Sequence, residues 1–461
     1  MIILINFIFF FTCILTLLYI TLGVFSTIAL RRYTRKNSYV NYNNIAVSPL
    51  APSISIISPA FNEEKNIIHL TKSLLDLYYT NYEVIIVNDG STDNTFQLLK
   101  DNFSLEKTNY FFDYKIPCER IRGIWKSAKP EFSKLIVIDK INGGCKADAS
   151  NAGLNISRNS YILHIDSDGL IERDSLTKLI KSFLDEKGRK VIGAGGVIRI
   201  INSCDVESGK IKQINLPKKF FPRVQVLEYT RSFLLGRMAW SQLDGLLIIS
   251  GAMGMFDKKI LIAAGGYDSK SIGEDMEAVV NMRRYMAEQK KKYIVTYIPD
   301  PLCWTEGPSS FKDLQTQRVR WTKGLIDVLK KHNVLLFNPK YKNLGLFGYP
   351  FCFIFEWMAP LIAFIGIIFT VFLIATGMMN WSFFGILIAF IYSFSIFLST
   401  WSVLFEELTF HKYRKKKDVV KLIMTSFIEP FFYVCMAWFA VKGNVGYFFG
   451  KKKWGTIKRG N

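Results

Sequence analysis

Two aspartates separated by one serine, Asp166 and Asp168, are the residues whose spacing most directly suggests chemistry. They follow an apolar run that begins at Tyr161, and Gly169 comes directly after them. Side chains at positions i and i+2 of a strand leave the same face, so this run would end in two adjacent negative charges. A hard divalent cation, Mg²⁺ or Mn²⁺, would offset their repulsion and could hold a diphosphate. An ordinary solvated Asp-x-Asp turn is the competing interpretation.

Four apolar segments, each ending in a polar turn, indicate how such a pair would be positioned. The segments are 53–58, 83–87, 135–138 and 161–165, with helical patterns at 67–77 and 94–100. Alternating strands and helices are typical of a parallel, doubly wound sheet, whose ligands bind at the carboxyl ends of the strands. The four turns would therefore meet at one edge and form a nucleotide-sized site. No G-x-G-x-x-G motif follows the first segment, which argues against a dinucleotide-dependent dehydrogenase.

The chain beyond Gly169 is less regular. Residues 191–201 and 246–256 have strand-like patterns, and Gly273-Glu274-Asp275 precedes a helix to about Met286. Gln317-Arg318-Val319-Arg320-Trp321 follows on a segment that runs toward an apolar region. These motifs place further carboxylates, two guanidinium groups and an aromatic ring further along the chain.

Two uncharged stretches, 1–30 and 357–405, indicate membrane spans in this 461-residue chain, half of which is hydrophobic. A span needs about 20 apolar residues, so the first stretch holds one and the second holds two, separated by a turn at 376–380. A signal peptide is a poor alternative for the first stretch, because no basic residue precedes it and it is too long.

Basic clusters beside these stretches account for much of the net charge of +21. The clusters are Arg31, Arg32, Arg35 and Lys36, and then Lys412, Arg414 and Lys415 to Lys417. The positive-inside tendency predicts that both are cytoplasmic, together with residues 31–341. Membrane lipids explain the basic surplus better than nucleic acid does, so no nucleic-acid partner is expected.

A last apolar segment, 422–441, has Glu429-Pro430 near its middle and basic residues on both sides, including Lys451 to Lys453. A carboxylate in the middle of a bilayer costs several kcal/mol. An interfacial or re-entrant helix is therefore favoured over a span, with the C-terminus in the cytoplasm.

Taken together, these motifs resemble those of the membrane-embedded processive glycosyltransferases of family 2. That group includes cellulose, chitin, hyaluronan and poly-β-1,6-N-acetylglucosamine synthases. The resemblance covers about residues 53–321 and the flanking spans. It rests on six motifs in the family order: P-A-F-N-E at 59–63, N-D-G-S-T-D at 88–93, G-G-C-K-A-D-A-S-N at 143–151, D-S-D at 166–168, G-E-D at 273–275 and Q-R-V-R-W at 317–321.

The resemblance implies an α/β, GT-A-like nucleotide-sugar-binding mixed sheet with helices on both faces, inserted between transmembrane helices. The implied organisation is a transmembrane helix at 1–30, a basic cytoplasmic linker at 31–52, a cytoplasmic catalytic domain at 53–340, a transmembrane hairpin at 341–405, and a basic cytoplasmic region at 406–461. The implied location is a bacterial-type inner or plasma membrane.

The resemblance also assigns residues to the donor site. The nucleotide-sugar-binding residues would be Pro59, Asn62, Glu63, Asp89, Lys146, Asp148, Asn151 and Asp166. The family's usual Asp-Asp-Gly is Asn88-Asp89-Gly90 here, so only Asp89 could bind the base or ribose. A salt-bridged surface lysine is the alternative for Lys146. Asp166 and Asp168 would bind Mg²⁺ or Mn²⁺ that bridges the two donor phosphates.

Asp275 matches the family's catalytic base, and Glu274, Gln317, Arg320 and Trp321 complete the implied catalytic set. The base would take the proton of the acceptor hydroxyl. A helix-capping carboxylate is the alternative for Asp275. Trp321 would stack on the acceptor sugar, although an interfacial anchor is also compatible with its position. Gln317 and Arg320 would hold donor phosphate or acceptor from one helical face.

The implied activity is inverting transfer from a UDP-sugar to a growing membrane-associated polysaccharide, with β-linked N-acetylglucosamine the leading candidate. The base motif departs from the T-E-D usual in poly-N-acetylglucosamine synthases, which leaves the sugar open. Transfer of one sugar to a lipid acceptor is the alternative, and a non-catalytic nucleotide-sugar-binding membrane protein is a further one. The acceptor would be a glycan or a lipid-linked acceptor. The sequence leaves open which accessory export proteins, if any, take part.

Overall fold

The computed structural model describes residues 2–185, 188–207, 209–411, 413 and 415–450. It divides into two compact units. The α/β unit contains the described residues of 33–213 and 246–306, and the helical unit contains those of 1–32, 214–245 and 307–461. The predicted basic residues Lys412, Arg414 and Lys451 to Lys453 lie outside the described residues.

Twelve strands occur in the described part of the α/β unit. They are β1 Ile54–Ala60, β2 Tyr82–Asn88, β3 Leu105–Thr108, β4 Ile121–Ser127, β5 Leu135–Lys140, β6 Tyr161–Ile165, β7 Leu170–Ile171, β8 Lys190–Ile200, β9 Asp205–Glu207, β10 Lys210–Gln213, β11 Met253–Asp257 and β12 Tyr293–Thr305. Ten of them form one sheet in the order β3-β4-β5-β2-β1-β6-β11-β8-β12-β7, and β9 and β10 form a separate hairpin.

The centre of the large sheet is the parallel set β5-β2-β1-β6, which confirms the four strands predicted from the apolar segments. All seven residues of β1 are buried, because helices and loops cover both of its faces. Continuous apolar runs are expected for parallel strands buried in this way. The carboxyl ends of these strands therefore share one edge of the sheet.

The sheet is mixed rather than wholly parallel, because β4 and β11 run antiparallel to their neighbours. The strand expected over 246–256 is also shorter than predicted. Only Met253–Asp257 forms a strand, and residues 246–252 form an irregular segment instead. Gly251 lies in this segment, and a Cβ atom there would lie 2.9 Å from Asp275 Oδ2. The segment thus approaches a predicted catalytic residue closely.

Sixteen α-helices occur in the described residues. They are α1 Ile2–Asn37, α2 Tyr42–Val47, α3 Ile67–Leu75, α4 Thr95–Phe103, α5 Lys146–Ile156, α6 Ser175–Leu184, α7 Phe220–Thr230, α8 Met238–Gln242, α9 Lys258–Ala263, α10 Glu274–Glu288, α11 Phe311–Lys331, α12 Tyr349–Phe351, α13 Ala359–Ala375, α14 Trp381–Thr409, α15 Lys416–Ile428 and α16 Tyr433–Phe448. π-helical turns extend three of the helices at 231–237, 344–348 and 352–358.

Four helical stretches of the described chain are long and apolar enough to cross a membrane. They are Ile3–Asn37, Leu344–Ala375, Trp381–Thr409 and Lys416–Phe448. The turn predicted at 376–380 separates α13 from α14, and the Asn380 side chain caps α14 by accepting a hydrogen bond from the Phe383 N–H (3.0 Å). Two apolar helices joined by a turn are therefore present where the uncharged stretch predicted them, and their arrangement as a transmembrane hairpin stays a prediction.

Glu429, which argued against a fourth span, has partners inside the helical unit. Arg231 Nη2 lies 2.8 Å from Glu429 Oε1, and the Ser399 hydroxyl donates to Glu429 Oε2 at 2.7 Å. A buried charge that is paired and hydrogen-bonded costs far less than an isolated one. The expected penalty is thus offset, and the interfacial or re-entrant helix over 422–441 stays a prediction.

The two compact units differ from the predicted domain boundaries. The first helix continues past residue 30 to Asn37, with Tyr33 donating a hydrogen bond to Asp300 of the α/β unit. Segments 214–245 and 307–340, which we expected in the catalytic domain, pack within the helical unit. The amphipathic helix α11 accounts for the second difference, since it packs along α16.

Candidate active site

The loops after β1 and β2 are joined by hydrogen bonds at the carboxyl edge of the sheet. Asn62 Oδ1 accepts from the Thr92 N–H (2.8 Å), and the Asn62 N–H donates to the Ser91 hydroxyl (3.0 Å). Asn62 has a left-handed φ of 56°, a conformation that asparagine tolerates better than most residues. The Ser167 hydroxyl donates to Glu63 Oε1 at 2.9 Å, which ties the first loop to the Asp-Ser-Asp motif. Glu63 therefore links the loop after β1 to the Asp166-Ser167-Asp168 turn.

Lys140, at the end of β5, lies between two of the predicted donor-site carboxylates. Its ammonium group is 2.6 Å from Asp89 Oδ1 and 2.5 Å from Asp148 Oδ1, and its side chain is fully buried. Asp89 also accepts from the Gly143 N–H at 3.1 Å. A Cβ atom at Gly143 would lie 2.1 Å from Asp148 Oδ1, so glycine is required for this close approach. The cluster holds Asp89 rigidly where β2 ends.

Replacing Lys140 with methionine should destabilise the α/β unit. Asp89 and Asp148 would stay buried without their shared positive charge, and breaking a buried ion pair in this way costs about 3–5 kcal/mol. We expect a lower thermal unfolding midpoint than in Lys129→Met, which removes an exposed lysine of the same unit. The double variant Lys140→Met/Asp148→Asn should recover part of the loss. A Lys140→Met protein that unfolds at the wild-type temperature would show that the cluster contributes nothing to stability.

Lys146 begins α5, is part-buried and forms a salt bridge with Asp166, so its predicted role near the donor and the alternative of a salt-bridged surface lysine both stay open. Its ammonium group contacts Asp166 Oδ1 and donates to the Gly251 carbonyl at 2.8 Å. Burial alone would lower the pKa of Lys146, but the carboxylates of Asp166 and Glu274 outweigh it and raise the pKa. A positive charge is thereby fixed beside the first aspartate of the pair.

The Asp166-Ser167-Asp168 turn follows β6 as predicted. The Asp166 N–H donates to the Ala252 carbonyl (3.1 Å), and the Gly169 N–H donates back to the Asp166 carbonyl (3.1 Å). Among the described residues, no group of three or more histidine, cysteine or acidic side chains is arranged to hold a metal ion. Asp166 and Asp168 supply two carboxylates to this turn, and Mg²⁺ commonly binds through one or two carboxylates together with substrate phosphates. The residues present fit such an ion.

Glu274 and Asp275 lie in the first turn of α10. Glu274 is buried and Asp275 is half-buried, with Asp275 Oδ1 accepting from the Met276 N–H at 2.8 Å. Burial, and next the negative charge of Asp275, raise the pKa of Glu274 to about 7, although Lys146 opposes the shift. Near neutral pH, Glu274 therefore carries less negative charge beside Asp275 than an ordinary glutamate would. Asp275 is the more exposed of the two carboxylates and the better placed to meet a substrate.

Asn151, predicted to bind the donor, uses its amide for a different contact. Its Nδ2 donates to the Tyr267 carbonyl (2.8 Å), and its Oδ1 accepts from the Tyr267 N–H (2.9 Å). Asp148 is similarly engaged, since its second oxygen accepts from the Glu119 N–H at 2.8 Å. Both side chains are buried and fix neighbouring loops. Their donor-binding roles stay predictions, and a positioning role is the one their contacts support.

The Gln317 to Trp321 motif lies on α11, within the helical unit. Gln317 Oε1 accepts from Gln225 Nε2 at 3.2 Å, and Arg318 makes two bonds to the Glu228 carboxylate, 2.5 and 2.6 Å long. Arg318 also lies 4.2 Å from the centre of the Trp321 ring, which is 40% exposed. The guanidinium of Arg318 therefore packs against the indole ring, and part of the ring stays accessible. Arg320 shares this helix, one residue before the indole.

Three of these residues were missed by the sequence interpretation: Lys140, Gln225 and Glu228. The signal for Lys140 was present, because it stands in the polar turn Asp139-Lys140-Ile141-Asn142 that follows the third apolar segment. Gln225 and Glu228 carry no local signal, since each acts on a motif about 90 residues further along the chain.

Comparison with known families identifies the class of protein that this fold and site define. The model of the glycosyl transferase family group 2 matches residues 161–398, more than half of the chain, and that of glycosyl transferase family 2 matches residues 55–114. The chain belongs to glycosyltransferase family 2.

Curated relatives and a solved structure agree with this assignment. The chain is 27% identical to a poly-β-1,6-N-acetyl-D-glucosamine synthase of Staphylococcus epidermidis over 83% of this chain and 81% of that protein. It is 27% identical to the enzyme of that name from Staphylococcus aureus (strain COL) over 60% of this chain and 55% of that protein. A mannosyltransferase from Pyrobaculum calidifontis, solved with GDP-Man and Mn²⁺, has a TM-score of 0.51 at 15% identity and covers 94% of this chain and 99% of its own, which shows the fold.

These findings confirm the predicted family, the GT-A-like α/β fold and the enzyme class. The chain is a glycosyltransferase, and its four apolar helices make it a membrane protein. The cytoplasmic placement of the α/β unit and the roles of individual site residues stay predictions.

Proposed function

We propose that the chain transfers sugar from a UDP-sugar to a growing membrane-associated polysaccharide, with inversion at the anomeric carbon. UDP-N-acetylglucosamine is the leading donor, and a bacterial-type inner or plasma membrane with the α/β unit in the cytoplasm is the proposed location. The observation that carries the proposal is the grouping of Lys146, Asp166 and Asp275 around the Gly251 segment. The names of the curated relatives support N-acetylglucosamine.

In this proposal the carboxylate of Asp275 takes the proton of the acceptor hydroxyl as that oxygen attacks the anomeric carbon from the side opposite the diphosphate. The bond from carbon to the diphosphate oxygen breaks in the same step, so an α-linked donor gives a β-linked product. Lys146 holds positive charge close to the departing diphosphate. Mg²⁺ or Mn²⁺, held by Asp166 and Asp168 when bound, would supply further charge neutralisation.

The nucleotide is held in this proposal by the joined loops after β1 and β2, with Asp89 fixed by Lys140 beside the base or ribose. Trp321 offers an exposed aromatic face to which the acceptor sugar would stack, braced by the Arg318–Glu228 pair. The partners are a UDP-sugar and a glycan or lipid-linked acceptor.

A donor panel tests the proposal. The purified chain in detergent, supplied with Mg²⁺ or Mn²⁺, is incubated with UDP-N-acetylglucosamine, UDP-glucose, UDP-glucuronic acid or GDP-mannose, and nucleotide release is measured. We expect release mainly from UDP-N-acetylglucosamine and its loss when EDTA removes the metal. Preference for GDP-mannose, or UDP binding without any release, would contradict the proposed donor or the proposed activity respectively.

A further inference from the structure

Three polar side chains of helix α15 and of the turn that follows it are buried. Thr425, Ser426 and Glu429 are buried, and each contacts a polar side chain of the helical unit. Thr425 Oγ1 accepts from Arg223 Nε at 2.9 Å, the Ser426 and Thr400 hydroxyls are 3.4 Å apart, and Glu429 pairs with Arg231. A helix on the surface of a water-soluble protein has the reverse arrangement, with its apolar side inside.

The opposite side of α15 is an exposed apolar stripe that continues into the following turn. We call it the α15 stripe, and it consists of Val420, Met424, Phe427, Ile428 and Phe431. These side chains are between 48% and 67% exposed. Positions 420, 424, 427 and 431 follow the helical repeat and lie along one side. Hydrocarbon accommodates such a stripe, whereas water would not.

Exposed lysines lie at the N-terminal end of the same helix. Lys415, Lys416, Lys417 and Lys421 are all exposed, and Asp418 is the only acidic residue of segment 415–428. Lys415 Nζ also hydrogen-bonds Asn215 Oδ1 at 3.2 Å, which places this end beside the loop before α7. That loop adds two more exposed lysines, Lys218 and Lys219. Positive charge is therefore concentrated next to the apolar stripe.

We propose that α15 binds the anionic phospholipids of one leaflet. The α15 stripe lies among the acyl chains, and Lys415, Lys416, Lys417 and Lys421 bind the phosphates above them. A helix with an apolar side and a basic end binds at a membrane interface by burying its apolar side chains and by the attraction of its positive charges to anionic lipids. Each lysine near an anionic surface adds about 1 kcal/mol, or about fivefold in affinity. The acyl chains of a zwitterionic lipid can pack against the α15 stripe, but its headgroup has no net negative charge for the lysines to bind. The lysines therefore select lipids with a net negative charge.

Photo-crosslinking with two lipids tests this directly. The full chain is reconstituted in nanodiscs that contain phosphatidylglycerol and phosphatidylcholine in equal amounts, with an acyl-chain diazirine on one lipid at a time. Crosslinks to peptides covering 415–431 are then mapped by mass spectrometry. We expect phosphatidylglycerol to label the α15 stripe about tenfold more than phosphatidylcholine, and 0.5 M salt to reduce the ratio.

The matched variants are Lys415→Gln/Lys416→Gln/Lys417→Gln and Lys290→Gln/Lys291→Gln/Lys292→Gln. Both remove three exposed, consecutive lysines, but the second triple lies in the α/β unit. The first should bring the labelling ratio close to one, and the second should leave it unchanged. Lys421→Gln alone should also lower the ratio, which keeps the test decisive if the first triple folds poorly.

Three outcomes would overturn the proposal. Labelling of 415–431 by neither lipid would show that the α15 stripe does not contact acyl chains. Equal labelling by both lipids in the wild-type chain would remove the selection for anionic lipids. An equal loss of preference in both triple variants would show that overall charge, rather than the lysines of α15, sets the ratio. None of these readouts depends on sugar transfer, so the proposal stands or falls independently of the donor and acceptor.

Discussion

Asp275→Asn should lower sugar transfer by about 10³-fold and leave UDP binding unchanged. A positioned general base contributes about 10²- to 10⁴-fold, and asparagine keeps the shape of aspartate but cannot accept the acceptor proton. Asp275 is half-buried in the first turn of α10, and its Oδ2 faces the Gly251 segment that also binds Lys146. Transfer is measured as UDP release under saturating donor, and binding is measured by calorimetry.

Asp101→Asn is the matched control for this variant, because it makes the same change at an exposed position on α4. It should keep full activity. If Asp275→Asn transfers sugar at the wild-type rate, the residue caps its helix and the base lies elsewhere. If the wild-type chain binds UDP without turnover and the variant changes nothing measurable, the non-catalytic alternative is favoured.

Asp168→Asn should weaken metal-dependent UDP binding by at least about tenfold. The protein contributes two carboxylates to the proposed ion, so neutralising one removes half of the negative charge that the site offers. Lys146 pairs with Asp166, which leaves Asp168 the larger share of the attraction for a cation. The measurement is UDP affinity with Mn²⁺ and with EDTA, for the wild type and the variant.

The quantity to compare is the ratio of the UDP affinity measured with Mn²⁺ to the UDP affinity measured with EDTA. In the wild type, Mn²⁺ should strengthen UDP binding, and in Asp168→Asn the two conditions should approach each other. Asp101→Asn should behave like the wild type. An unchanged dependence on Mn²⁺ in Asp168→Asn would remove the proposed metal site from this turn and favour the plain Asp-x-Asp interpretation.

The parallel core of the sheet could be predicted because its strands are buried on both faces. β1, β2, β5 and β6 are short continuous apolar runs that end in polar turns, and that pattern is typical of buried parallel strands. Segment 246–252 has a similar apolar content but forms no strand. Gly251 of this segment closely approaches Asp275, which lies 24 positions further along the chain, and no local pattern contains that contact.

The sequence predicts which charged residues belong to the site, but it predicts less well which partner each of them contacts. Asp89, Lys146, Asp166 and Asp275 follow strand ends or begin helices, where the sequence marks them. Which carboxylate binds which cation depends on contacts such as Lys140 with Asp89 and Asp148, made across different elements. For the same reason, the pairing of Glu429 with Arg231, about 200 residues apart in the chain, leaves no local signal in the sequence.

Product analysis tests the central proposal most directly. The purified chain in nanodiscs is supplied with UDP-N-acetylglucosamine and Mg²⁺, and the product is examined for size, for solubility in organic solvent and for anomeric configuration by NMR. We expect a polymer of β-linked N-acetylglucosamine that does not enter the organic phase. An α-linked product would contradict the inverting mechanism, and an extractable lipid carrying a single sugar would contradict synthesis of a polysaccharide.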